Sequence, residues 1–324
     1  MFRKLPILFC FLALSNTNEA QQLPIYSQYM LNEFLINPSV AGVDGRTTIN
    51  LTGRKQWVGF TNPPETYSIS FQTRILKRGF LVSSGSVRKS TKGRVGLGAS
   101  IISDKSGAVH RTGAQFTYAY HIFIENSQLS FGFTGSFFQL RIDNDEAKLR
   151  DQNDPLQQFL GKSTVIPDAG IGFNYMTQDF HVGLAVTQLL QSKIKIGDIS
   201  INNSRDVRFI RQYYFMGDYK HAFSGNHDWE IEPSVIVRGN ELFIIQSDLT
   251  LKFLYKREYW AGMSFRTTGD LVLLLGLRVN NVYFGYSFDY GFNGISPLTY
   301  GSHEVILAVK LGDSARRYRW LERY

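Results

Sequence analysis

From about Arg46 to Gly312 the chain keeps one rhythm: stretches of roughly ten residues in which apolar side chains alternate with small or polar ones, each ending in a turn signal. Phe116, Tyr118, Tyr120, Ile122 and Ile124 alternate with Gln115, Thr117, Ala119 and His121; Leu129, Phe131, Phe133 and Phe137 alternate with Ser130, Gly132, Thr134 and Ser136. The same period runs through Phe180, Val182, Leu184 and Val186, through Ser247, Leu249, Leu251 and Phe253, and through Val282, Phe284, Tyr286, Phe288 and Tyr290. A period of two sends successive side chains to opposite faces of a strand, one face greasy and the other wet, whereas a helix needs apolar residues three and four apart. About fourteen such segments fit between 46 and 312, at about nineteen residues per strand and connection, which suits a membrane barrel of tilted strands about ten residues long. A soluble sandwich shows the same alternation, so periodicity alone does not choose between them.

The amino terminus supplies a second constraint. Met1-Phe2-Arg3-Lys4 is a short basic start, residues 5–14 are almost wholly apolar, and a polar stretch leads to Ala20; this is the pattern of a secretory signal peptide over 1–20, with the processed chain starting near Gln21. Its apolar core is about half the twenty residues that a membrane helix needs, and the longest later apolar run, 271–277, is shorter still. The one cysteine, Cys10, lies inside that leader, which excludes disulfides, thiolate metal clusters and a cysteine nucleophile from the remainder. Export without a membrane helix leaves secreted, periplasmic and outer-membrane fates. A content of 29 Gly, 17 Tyr and 25 Phe favours the last, through strands, close backbone approaches and aromatic girdles at the two membrane interfaces.

Connection lengths test the barrel separately, because bacterial outer-membrane barrels have short periplasmic turns, longer outer loops and both ends on the periplasmic side. With the first strand rising near Ile49, the even connections are compact: 125–127, 177–179, 224–228, 256–258 and 280–281. The odd ones include the long stretches 143–167, 191–206 and 291–300, which are expected outside the cell. One even connection disobeys. Residues 74–93 read as a long periplasmic loop carrying Arg74, Lys77, Arg78, Arg88, Lys89 and Lys92 with no acid between them, either a solvated loop or a docking element for anionic lipid or a periplasmic partner.

Charges on the wet face belong in the lumen, since one facing lipid near the midplane costs a few kcal/mol. Asp248, Arg266, Arg278 and Asp289 fall on that phase, as do Glu230, Glu232, Arg238 and Lys252. Signs so mixed suit ion pairs that stiffen or plug a barrel, with selective permeation as the competing reading. Little else points to chemistry. None of the six histidines forms a zinc-hydrolase pair, and there is no G-x-S-x-G elbow, phosphate-binding glycine loop or acidic calcium loop; neither enzyme activity nor a metal or other cofactor is expected. The formal charge of +8 is mildly basic, compatible with a solvated surface or with anionic lipid headgroups, and no nucleic-acid-binding signature accompanies it.

The stretch YSQYMLNEFLINPSVAG over 26–42, with Ser27, Gln28, Tyr29, Asn37, Pro38 and Gly42 in order, resembles the opening of PorP/SprF proteins. The likeness continues through Arg54, Gln56, Trp57, Gly59, Pro64 and Thr66, through Gly96 and Gly98 with Ser103-Asp104, and through Glu232-Pro233-Ser234, Gln246-Ser247-Asp248-Leu249, Phe265-Arg266, Gly285 to Asp289 and Gly301-Ser302-His303-Glu304. Ser39, Val40 and Phe288 depart from the family's usual residues.

This resemblance implies an all-β outer-membrane barrel of the Bacteroidetes type IX secretion and gliding machinery. It further implies work with periplasmic secretion components, and export or surface display of a large adhesin bearing a C-terminal secretion domain. The expected organisation is a leader at 1–20, a segment 21–45 that is either a plug in the lumen or a periplasmic lead-in, a barrel over 46–312, and a basic tail over 313–324 that Trp320 and Tyr324 anchor at the interface. A general diffusion or solute-uptake channel is the alternative; a surface hydrolase is a third reading.

Overall fold

The computed structural model describes residues 25–83, 86–143, 161–192, 209–223, 228–292 and 299–312, with side chains in 76–93 excepted. Leader 1–20, tail 313–324 and most of the three long outer stretches lie outside the described residues. Strands β1 (Thr47–Lys55), β2 (Glu65–Ser83), β3 (Ser86–Ser106), β4 (Val109–Ile124), β5 (Ser127–Ile142), β6 (Ser163–Met176), β7 (Phe180–Thr187) and β8 (Gln212–Tyr219) form the first half. The second comprises β9 (His221–Ala222), β10 (Trp229–Asn240), β11 (Ile245–Tyr255), β12 (Tyr259–Arg266), β13 (Asp270–Val279), β14 (Val282–Gly291) and β15 (Ser302–Leu311).

Neighbouring strands pair antiparallel, and β15 returns to β1 in a continuous register from Thr47↔Leu311 to Lys55↔His303. β9 continues β8 past Lys220 and pairs with the same partner, β10, so the segments make a closed barrel of 14 staves, as the alternation leads one to expect. Closure gives every stave a hydrogen-bonded neighbour on both sides, the condition for crossing lipid.

Burial is inverted relative to a soluble protein. Phe116 is 63 % exposed on the outer surface, in company with Phe131, Phe133, Leu249, Met263 and Leu275, while Glu232 is fully buried and Asp248, Arg54 and Arg266 nearly so. Only a hydrocarbon solvent makes that arrangement favourable. The protein is an outer-membrane barrel.

Two departures from the expected pattern stand out. Residues 74–93 do not form a loop: β2 and β3 run on, with a register shift between Ile75 and Lys77, and pair down to Ser83↔Ser86. β1 leaves β2 at Gln72 and β4 leaves β3 at Val95, so a two-stranded ribbon continues beyond both neighbours at the short-turn end. Its strand 73–83 is about 35 Å of backbone at roughly 3.3 Å per residue. The basic residues disguised strand as loop, since charge is a poor guide where pairing supplies the backbone bonds.

Secondly, the wet face is not wholly wet. Leu254, Trp260, Tyr283 and Ala308 point inward, as do Met216 and Ile236, because something apolar fills the lumen.

Candidate interaction site in the lumen

That filling is the segment ahead of β1. Residues 25–46 run inside the barrel and include three short 3-10 turns, Tyr29–Leu31, Glu33–Leu35 and Pro38–Val40. Short turns follow from the sequence. Asn37 caps the last one, accepting hydrogen bonds from Ser39 N at 3.1 Å and Ser39 Oγ at 2.6 Å, and Pro38 occupies the first position, where no N–H is needed. Apolar plug residues meet the inward apolar wall: Tyr29 and Ile36 pack with Met216 and Ile236, Leu31 with Leu254, Trp260 and Tyr283, and Phe34 with Ala119.

Close approach on the other side is made possible by missing side chains. A Cβ on Gly132 would overlap Pro38 and Ser39, one on Gly172 would overlap Asn37, and one on Gly96 would overlap the Ala41 carbonyl. Asn37 Nδ2 also donates to the Phe173 carbonyl at 3.2 Å, and across the lumen Gln28 Nε2 donates to the Leu275 carbonyl at 3.1 Å. The plug is therefore tied to opposite walls. Cavities of about 80 Å³ remain on two sides of it, one bounded by Phe34, Ile36, Arg111 and Phe138, the other by Tyr29, Val43, Asp44 and His181.

At the Ser-Gln dipeptide the tie is made by charge-assisted hydrogen bonds. Ser27 N and Gln28 N donate to the two oxygens of Glu304 at 2.8 and 2.9 Å, and Ser27 Oγ donates to Asp289 at 2.7 Å. Arg54 Nη1 donates to Ser27 Oγ at 2.8 Å while its Nη2 pairs with Asp289 at 2.7 Å. Arg266 bridges Asp289 and Asp248, each at 3.2 Å, and Arg238 pairs with Asp248 at 3.0 Å. Six strands thus send charges to one buried cluster around the Ser-Gln dipeptide. Buried charges are tolerable only when paired and hydrogen-bonded, and the plug's backbone completes that pairing.

Two sets of residues that the sequence suggests for separate reasons meet here: the motif residues Ser27, Gln28 and Arg54, and the lumen charges Asp248, Arg266 and Asp289. Glu304 is the partner that sequence reasoning missed as a site residue, although its phase in β15, inward between His303 and Val305, marks it. Arg278 shares the inward phase but stands apart at the periplasmic turn, donating to the Asn280 carbonyl at 3.0 Å with its guanidinium 5.3 Å over Tyr283.

Other candidates scatter. Tyr29, Asn37 and Pro38 belong to the plug's packing, and Gly42 takes a φ of +68° and donates its N–H to Gln72 Oε1. Trp57 and Gly59 lie in the outer loop after β1, both with positive φ, and Trp57 N donates to Ser302 Oγ at 3.1 Å. Arg74, expected in a periplasmic loop, is 4 % exposed inside the barrel and donates to the Val43 carbonyl at 2.6 Å and Gln128 Oε1 at 3.2 Å. Lys77, Arg78, Arg88, Lys89 and Lys92 sit on the ribbon, where Lys77 pairs in register with Lys92; their side chains lie outside the described ones.

Two histidines face the same plugged interior: His121 donates through Nε2 to the Ala41 carbonyl at 3.0 Å, and His181 lies 2.7 Å from Asp218 and 3.4 Å from the plug's Glu33. At the plug's other end Asp44 pairs with Lys310 at 3.1 Å. Burial alone would raise the Asp44 carboxyl, but the Lys310 charge and the Arg46 backbone N–H outweigh it and hold the pKa below the usual range.

Among solved structures, the Ralstonia pickettii toluene transporter TbuX is 9 % identical, covers 86 % of this chain and 93 % of its own, and has a TM-score of 0.49. The Acinetobacter baumannii outer membrane protein Omp33 is 8 % identical over 83 % of this chain and 100 % of its own (TM-score 0.45), and the P. putida toluene transporter TodX is 10 % identical over 87 % and 94 % (TM-score 0.45). Nothing about activity follows from scores this low. No curated protein matches the chain by sequence. The family of type IX secretion system membrane proteins PorP/SprF matches residues 18–309, and the chain belongs to it.

Proposed function

We propose that this barrel supports export or surface attachment of a large adhesin carrying a C-terminal secretion domain, and that it does so by protein–protein contact rather than by catalysis or solute passage. The observation that carries this reading is the plug: a lumen crossed by 25–46, packed against both walls and hydrogen-bonded to a buried cluster of ion pairs, is built to be occupied. A barrel of this kind offers its two faces and its outer loops as interaction surfaces. On the periplasmic face the basic ribbon of β2 and β3 supports contact with the periplasmic secretion components, and the apolar outer surface contacts membrane lipid.

Deleting the gene should abolish surface display of such an adhesin and leave uptake of small solutes unchanged. Loss of solute uptake with display intact would instead favour the diffusion channel.

A further inference from the structure

The plug has a direction. At the short-turn end Asp44 pairs with Lys310, whose backbone N–H donates to Asn281 in the turn between β13 and β14, and Gly42 meets Gln72. At mid-height Asn50 Nδ2 donates to Asn32 Oδ1 at 3.1 Å, and Ser70 Oγ donates to the same oxygen at 3.0 Å. Higher still Arg54 reaches Ser27. Ile25 then lines a cavity of about 70 Å³ together with Gln56, Trp57, Thr268, Thr299 and Gly301, residues of three connections at the long-loop end. While β1 climbs from Thr47 to Lys55, the segment before it climbs the same height, so that position 50 faces 32 and position 54 faces 27. A lead-in that entered and turned back would put Ile25 beside the turns 256–258 or 280–281.

Short turns are periplasmic and long loops external in such barrels. We propose that residues 25–46 thread the lumen from the periplasmic mouth to the outer mouth, so that Ile25 is presented on the cell-surface side and is available to partners there. The carboxy-terminal strand β15, in contrast, ends at the periplasmic face. Ile25 and Leu311 thus lie at opposite mouths of the barrel, and the Ser27 cluster ties the threaded segment to the wall between them.

Cysteine labelling tests this cleanly, because Cys10 is the chain's only cysteine and lies within the leader segment. Single variants Ile25→Cys, Thr268→Cys at the outer turn and Asn281→Cys at the periplasmic turn are treated with a bulky, membrane-impermeant maleimide on intact and on permeabilised cells, with the unsubstituted chain as blank. A second chain carries an epitope inserted directly ahead of Ile25 and is probed with antibody in the same two states. Heat-modifiable migration confirms that each barrel is folded. The expected result is that Ile25→Cys and the epitope react on intact cells as Thr268→Cys does, whereas Asn281→Cys reacts only after permeabilisation. Reaction of the Ile25 variants only after permeabilisation, or in neither state, overturns the proposal. Adhesin display is not part of this readout, so the proposed function can fail while the threading stands.

Discussion

Ser27 is held from four sides: its N–H by Glu304, its hydroxyl by Asp289, and its hydroxyl oxygen by Arg54 and, at 3.3 Å, Arg266. Hydrogen bonds to charged groups contribute about 1.5–3 kcal/mol each when made, and removing one member of a buried ion pair costs about 3–5 kcal/mol because the other charge is stranded. Ser27→Ala should therefore lower the stability of the refolded barrel by about 2 kcal/mol and Asp289→Asn by about 3–5 kcal/mol. Urea unfolding in lipid vesicles measures both, and equal or negligible losses would show that the cluster does not hold the plug. Asp44 offers a pH handle. Its folded pKa lies below the unfolded value of about 3.9, so its pairing with Lys310 stabilises fully above that value and is lost as pH falls through the folded pKa. The advantage of the wild-type chain over Asp44→Asn should be present at neutral pH and be lost as acid protonates the folded Asp44 carboxyl, below its unfolded range.

At the level of elements, the plug and its glycine track are one design: backbone approaches wall where β5 and β6 carry Gly132 and Gly172. Gly132→Val should expel the plug while leaving strand pairing intact, because the new side chain meets Pro38 and Ser39; Gly135→Val, with open space around its Cβ, should change nothing. Limited proteolysis of the plug, read by mass, separates them. The β2–β3 ribbon is the other notable element. Two-stranded ribbons are marginal alone, and this one runs on past both neighbouring strands. Neutralising Arg88, Lys89 and Lys92 should weaken co-purification with periplasmic components, and unchanged recovery would remove the ribbon from the docking reading.

For the whole molecule, the inverted burial gives its own test. Leu275 faces outward, 54 % exposed, and Leu275→Arg should cost about 2–4 kcal/mol of stability in a bilayer if it lies near the midplane. A plugged lumen also has an electrical consequence: the intact chain should conduct little in a planar bilayer, and deletion of 25–45 should raise conductance markedly. An intact chain that already conducts as well as the deletion would return the solute channel to first place.

Much of this was legible in the sequence. A period of two needs no tertiary information, because side-chain alternation is a property of the extended backbone itself; from it came the barrel and its stave count. The order of Ser27, Gln28 and Tyr29 carried the family. Tertiary structure alone decided which inward charges meet, because Arg54 and Asp289 are 235 positions apart and become neighbours only when β15 closes on β1. It also decided that 74–93 is strand and not loop, and that the lumen is occupied. Irregular, hydrogen-bond-hungry turns such as those of 25–46 have no periodicity to read; their place is set by the groups that satisfy them, and those groups lie on walls the local sequence cannot see.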